Sequence, residues 1–284
     1  MTNVELLASY WTLAHGAEPH TDHEYSSVRF EERVAAAAKA GFHGMGIWHA
    51  DLEKTLERLT LAEMKHILDD HGIQHIELEF LTDWFMQGER RLRSDETRRL
   101  LLRASETLGA RHIKVGDFYK EPCEMSVLTE SFAALCAEAE QHGTRIAFEL
   151  MPFANIDTLE GALALVTGAG AHNGGVVLDL WHIVKLGIPY EVAAQFPAQH
   201  LFGIEINDGF LHPPPGMTLF EETTQHRLLC GEGEFDVKGF VAGMRPAGYT
   251  GPWGIEVLSR ELRRKPVAEI ARSAFQTTRA QFGA

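Results

Sequence analysis

Eight short apolar runs recur along this chain, and between them lie segments whose apolar residues return every three or four positions. The first run is a stretch at about Val4 to Leu13. The others are GMGIWH, IQHIELEF, RHIKVGDF, RIAFELMPF, GGVVLDLWH, LFGIEIND and PWGIEVLS. The segments Phe30 to Ala40, Leu56 to Asp70, Ser94 to Leu108, Val127 to Gln141 and Val267 to Gln281 carry the period of amphipathic helices. Glycines such as Gly41, Gly72, Gly109, Gly143 and Gly248 stand where helices would close ahead of the next run. Near-continuous apolar strands need cover on both faces, so this alternation predicts a parallel sheet wrapped by helices. Eight such units in 284 residues predict closure into an α/β (β/α)8 TIM barrel, one domain over residues 1–284. An open doubly wound sheet is the rival architecture. No GxGxxG follows the first run and no GxxxxGK(S/T) occurs, so its nucleotide-binding forms lack their phosphate loop.

Four of the runs end in a carboxylate: Glu149 in RIAFELMPF, Asp179 in GGVVLDLWH, Glu205 in LFGIEIND and Glu256 in PWGIEVLS. A charged carboxylate in a buried strand is costly unless something pairs with it, and four at one depth call for a shared cation. In a barrel, the carboxyl ends of the strands form the catalytic mouth. These residues are therefore expected to form one divalent-metal site. All-oxygen donors favour Mn²⁺ or Mg²⁺ over Zn²⁺. Unrelated salt bridges are the alternative.

Other polar residues fall at the same rim. Trp11, His49, Glu79, Lys114 and Arg227 are candidate substrate contacts. Lys114 is read either as a cation over the barrel or as a partner of Glu79, and Arg227 either as a substrate ligand or as a loop tie. His182, three residues after Asp179, is a candidate base, substrate contact or metal-site orienter. The stiff stretch FLHPPPG, residues 210–216, is a candidate lid. A net charge of −14 disfavours nucleic acid, and three scattered cysteines form neither a disulfide frame nor a CxxC site. The apolar runs are too short to span a membrane, and MTNVELLASYW lacks signal-peptide zones, so a cytoplasmic location is expected.

At FELMPF, VVLDLWH, IEINDG, RLLCGEGEFD and GYTGPWGIEV the chain resembles the xylose isomerase-like TIM-barrel superfamily, over about Glu31 to Phe282. The resemblance implies a sugar isomerase or epimerase holding one Mn²⁺, Mg²⁺ or Co²⁺. The ligands would be Glu149, Asp179 and Glu256, with Glu205 from the seventh strand. Many members have histidine at the seventh-strand position, so Glu205 makes this site more negative. Met151 stands where some dehydratase-like members have a histidine, two residues after the fifth-strand glutamate, which removes a base there. Such a site withdraws electrons from a chelated carbonyl and acidifies the adjacent C–H bond. Glu149 and Glu256 are the expected pair for removing and returning the proton through an enediolate, with His182 as the alternative base. Returning the proton to carbon makes an isomerase or epimerase of an unphosphorylated sugar or keto-sugar. Expelling a β-substituent makes a lyase or dehydratase, for example the catalytic subunit of a C-glycoside deglycosidase. Expected partners are a small-molecule sugar, further copies of the chain in a homo-oligomer and, for the lyase, a small partner subunit. Neither nucleic acid nor membrane is expected. A DNA-repair endonuclease and a non-catalytic binding module are the readings from other classes.

Overall fold

The computed structural model describes residues 4–283. Eight parallel strands pair in chain order, and the last closes on the first. They are β1 (Leu6–Ala8), β2 (Gly44–Trp48), β3 (His75–Leu81), β4 (His112–Val115), β5 (Ile146–Glu149), β6 (Gly174–Asp179), β7 (Leu201–Ile206) and β8 (Trp253–Ile255). Helices cover them: α1 (Phe30–Ala40), α2 (His49–Leu56), α3 (Leu61–Asp70), α4 (Gly88–Leu108), α5 (Met125–Gln141), α6 (Leu159–Ala169), α7 (Leu180–Lys185), α8 (Tyr190–Ala193), α9 (Leu219–Gln225), α10 (Val237–Met244) and α11 (Val267–Arg279). The chain is thus a (β/α)8 TIM barrel, and the open sheet is excluded. No helix among the described residues is long and apolar enough to cross a membrane.

Boundaries shift where local chemistry intervenes. The helix expected over Leu56 to Asp70 is two helices, because Thr60 starts α3 with a capping box. Its hydroxyl accepts from the Glu63 amide at 3.2 Å, and the Glu63 carboxylate accepts from the Thr60 amide at 2.7 Å. The first apolar run is a strand only over Leu6–Ala8, after which Tyr10–Thr12 turn into a 3-10 helix. Helix α4 begins at Gly88, ahead of the expected Ser94.

A TIM barrel is ordinarily filled by layers of apolar side chains. Here Ala147, Val177 and Phe202 form a small apolar plug. Two residues further along β5 and β6 stand Glu149 and Asp179. The two-residue alternation of strands also turns Glu77 and Glu79 of β3 the same way, and likewise His112 and Lys114 of β4. All six are buried. Glycine makes room for two of the acids in this interior. A Cβ on Gly46 would stand 1.9 Å from Glu79 Oε1, and one on Gly254 would stand 2.7 Å from Glu205 Cγ.

Candidate active site

The carboxylates collect where β5 to β8 end. Glu149 and Asp179 are the last residues of β5 and β6, Glu205 lies in register with Asp179 and Gly254, and Glu256 follows β8 directly. One oxygen each from Glu149, Glu205 and Glu256 lies within 4.8 Å of the others, and all three residues are buried. Asp179 is adjacent but otherwise engaged. Its Oδ1 caps α7 by accepting from the amides of Trp181 at 2.8 Å and His182 at 3.3 Å. Its Oδ2 accepts from Asn207 at 2.8 Å and from Arg227 at 3.2 Å. The structure therefore gathers three of the four expected ligands into a cluster and makes the fourth an anchor for α7, Asn207 and Arg227.

Two permanent cations sit among these acids. Lys114 Nζ donates to Glu205 at 2.9 and 3.1 Å and to Glu256 at 3.0 Å, and it lies 3.5 Å from Glu79. Ser9 adds a hydroxyl donor to Glu205, and the Tyr10 amide donates to Glu79 at 3.1 Å. Arg227 Nη1 donates to Glu256 at 2.9 Å as well as to Asp179, while Thr223 accepts from its Nε and Nη2. Burial alone would push every carboxyl here upward. For Glu256 the two cations outweigh burial and hold it at about 2. Glu79 and Glu149, less well matched, rise to about 8 and about 7, and Glu205 rises well above the carboxylate range. Burial also lowers His182 to about 4, so its ring is neutral. Its Nε2 lies 3.2 Å from Glu149 Oε1 and 3.4 Å from Arg227 Nη2, and its buried Nδ1 has no partner among the described residues.

Above the cluster opens a cavity of about 530 Å³ including its mouth. Glu149, Glu256, His182 and Arg227 form its polar side, and Trp11, Trp48, Phe80, Phe118, Phe153 and Phe220 its aromatic walls. Of the expected substrate contacts, Trp11 and Arg227 line this cavity. Lys114 and Glu79 are absent from its wall, because they face the barrel interior beneath the carboxylates, where Lys114 pairs with Glu79, Glu205 and Glu256. His49 is also absent from the wall; it starts α2 behind Trp48, its ring 5.1 Å from the indole. The 210–216 stretch does not line the cavity either. Its Leu211 is exposed, and α9 provides the cover instead through Phe220, Thr223 and Thr224. His226 ties its loop to Ser259. Met151 lines the cavity, so the wall carries no base at that position. Sequence reasoning missed most of the aromatic wall. Phe118 and Phe153 end the runs RHIKVGDF and RIAFELMPF, Phe220 lies on α9, and His20 lies on a loop where it meets Phe220 at 4.8 Å and Phe118 at 5.5 Å.

Charge decides whether a further cation suits this place. Glu79, Glu149, Asp179, Glu205 and Glu256 are five buried carboxylates against Lys114 and Arg227. Either protons or a divalent cation must take up the excess. The clustered oxygens of Glu149, Glu205 and Glu256 fit a divalent cation, and the raised proton affinities of Glu149 and Glu205 mark where positive charge is wanted.

Residues 34–281 match the family described as xylose isomerase-like TIM barrel. The chain belongs to this family. Over 242 residues it is 27% identical to a 3-dehydroshikimate dehydratase of Pseudomonas aeruginosa, covering 83% of this chain and 37% of that protein. Over 246 residues it is 23% identical to an inosose isomerase of Bacillus velezensis, covering 81% and 83%. The chain thus spans little more than a third of the dehydratase and most of the isomerase. Among solved structures, the IOLI protein with a binding zinc atom aligns with a TM-score of 0.82 at 19% identity, covering 98% of both chains. A D-allulose 3-epimerase from Methylomonas sp. aligns with a TM-score of 0.72 at 18% identity, again covering 98% of both. These two likenesses show the shared fold. The relatives are enzymes, and their activities span isomerisation, epimerisation and dehydration.

Proposed function

We propose that this protein is a divalent-metal-dependent isomerase or epimerase that removes and returns a proton next to a carbonyl of an unphosphorylated sugar or keto-polyol. The carrying observation is that Glu149 and Glu256 line one cavity and each gives an oxygen to the same cluster; without a metal their proton affinities lie apart, at about 7 and about 2. A group near 7 exchanges protons at neutral pH, whereas one held at about 2 stays an anion. Glu149 is accordingly the proton-transfer group, and Glu256 the fixed negative ligand. Glu149, Glu205 and Glu256, with Asp179 beside them, would hold the cation, and their oxygen donors suit Mn²⁺ or Mg²⁺, with Co²⁺ as the third option. Bound there, a divalent cation supplies the Lewis acidity that weakens a C–H bond next to a chelated carbonyl.

The remaining groups orient and shield. Arg227 is pinned by Asp179, Glu256 and Thr223, so its guanidinium meets a substrate oxygen without reorganising. Neutral His182 stands with Nε2 3.2 Å from Glu149 Oε1 and 3.4 Å from Arg227 Nη2, between the carboxylate and the guanidinium. The aromatic walls exclude water and pack on the C–H faces of a sugar ring. Arg227 is the only Lys or Arg lining the cavity among the described residues, which favours a substrate without a phosphate.

A lyase or dehydratase acting on a keto-sugar or polyol is the second reading. It is supported by the dehydratase relative and by Glu149, which at about 7 can take the proton from carbon and hand it to a departing β-substituent. Metal-loaded protein incubated in D₂O with inososes, ketohexoses and 3-dehydroshikimate separates the two. Carbon-bound deuterium in recovered or epimerised substrate supports the isomerase, and an unsaturated product supports the lyase. Glu149→Gln should lower either turnover by about 10²- to 10⁴-fold. Full activity in that variant would overturn the assignment.

A further inference from the structure

The opposite mouth of the barrel carries a feature that the proposed reaction does not use. Arg111 and Arg145 stand immediately before β4 and β5, and they line a cavity of about 630 Å³ including its mouth with Gln199, Phe202, Tyr249 and Thr250. Neither guanidinium has a carboxylate within 4.0 Å among the described residues, although the chain holds 40 acids and 26 Lys and Arg residues. Both side chains are half-buried and fixed. Arg145 lies over the Phe202 ring at 4.3 Å and donates from Nε to the Arg111 carbonyl at 3.0 Å. Arg111 packs against Gly251, where a Cβ would stand 2.5 Å from its Nη2. Its Nε is buried with no hydrogen-bond partner.

Two neighbouring guanidinium groups repel, and burying them without a counter-ion is costly. Burial, with Arg111 beside it, lowers the proton affinity of Arg145. The acid that both arginines feel is Glu77 in the barrel interior. Glu77 lies within ion-pair distance of His112 and of neither arginine, and burial raises its proton affinity. A free anion with two charges would satisfy the pair, and planar guanidinium forks match the oxygens of phosphate.

We propose that the amino-terminal mouth of the barrel is a binding site for a small phosphate dianion, either inorganic phosphate or a phosphomonoester, held by Arg111 and Arg145 with Gln199 and Thr250 at its edge. The site lies at the far end of the strands from the carboxylate cluster, so its occupant acts on the stability of the barrel and does not compete with substrate. It is independent of the reaction proposed above.

Thermal unfolding in EDTA, with inorganic phosphate titrated against sodium chloride of equal ionic strength, tests this. Wild type should show a rise in Tm that is logarithmic in phosphate above the dissociation constant and reaches about 5 °C at a hundred times that constant. Arg111→Gln with Arg145→Gln should abolish it. Gln199→Glu, which places a carboxylate beside the arginines, should raise the phosphate-free Tm and remove the phosphate response. That variant keeps the test decisive if the arginine variant does not fold. A phosphate effect equal to that of chloride, or one that persists in Gln199→Glu, overturns the proposal. Glucose 6-phosphate in place of phosphate distinguishes the two sources: an equal rise admits phosphomonoesters, and a rise with phosphate alone restricts the site to the free ion.

Discussion

Replacing Lys114 with methionine is the sharpest perturbation of the carboxylate cluster. The ammonium is fully buried, makes three hydrogen bonds to Glu205 and Glu256, and lies 3.5 Å from Glu79. Methionine matches its length and leaves five buried carboxylates facing Arg227 alone. At an effective dielectric of about 20, one ion pair at 3 Å is worth roughly 5 kcal/mol before desolvation is subtracted. Breaking a buried pair from one side costs about 3–5 kcal/mol net. Against a typical total of about 5–15 kcal/mol, the variant should be marginal. Urea unfolding in EDTA, followed by tryptophan fluorescence, should show a large drop in midpoint at pH 8. The drop should shrink as the pH falls toward 6, because protons neutralise the acids that Lys114 had paired. Mn²⁺ should restore the Lys114→Met variant by more than it stabilises wild type. A loss of less than about 1 kcal/mol at pH 8 would refute the pairing role given to Lys114.

Other outcomes follow from the same geometry. Gly46→Ala puts a Cβ 1.9 Å from Glu79 Oε1 and 2.7 Å from the Tyr10 amide nitrogen, so it should cost about 2 kcal/mol in urea unfolding and displace Glu79. Burial lowers His49 from its ordinary 6.5 to about 4. The unfolded chain therefore binds a proton that the folded chain refuses, and stability is lost as pH falls from about 6.5 toward 4. The residue is only partly buried, which discounts the loss to about 1–2 kcal/mol, and His49→Gln should flatten that part of the pH profile. Phe153→Ala opens the cavity wall and should raise KM more than it lowers kcat. An unchanged KM would remove Phe153 from substrate contact.

The barrel was legible because its signals are local and repeated. Helix α1 runs over Phe30–Ala40 as its periodicity predicts, and the Gly41 that closes it has a φ of 110°. The carboxylates at the ends of β5 to β8 were legible because an acid ending an apolar run stands out. Depth was harder to read. Lys114 and Glu79 also sit late in their strands and alternate inward like Glu149, yet register pairs Lys114 with Ala147 and so sets it beneath the cluster and away from the cavity. No periodicity marks that choice. Asp179 illustrates a further limit: its position predicts a ligand, while the α7 amides, Asn207 and Arg227 compete for its oxygens. The aromatic wall draws on the 3-10 helix (Trp11), the ends of β2 and β3 (Trp48, Phe80), loops and α9, and which of these rings meet depends on tertiary packing and not on local pattern.

Anomalous diffraction from crystals grown with Mn²⁺, recorded at the manganese edge, tests the central assignment most directly. The account predicts one strong peak among the oxygens of Glu149, Glu205 and Glu256, lost in Glu149→Gln. Absence of a peak there at saturating Mn²⁺, with Lys114 still bridging Glu205 and Glu256, would contradict a metal-dependent site.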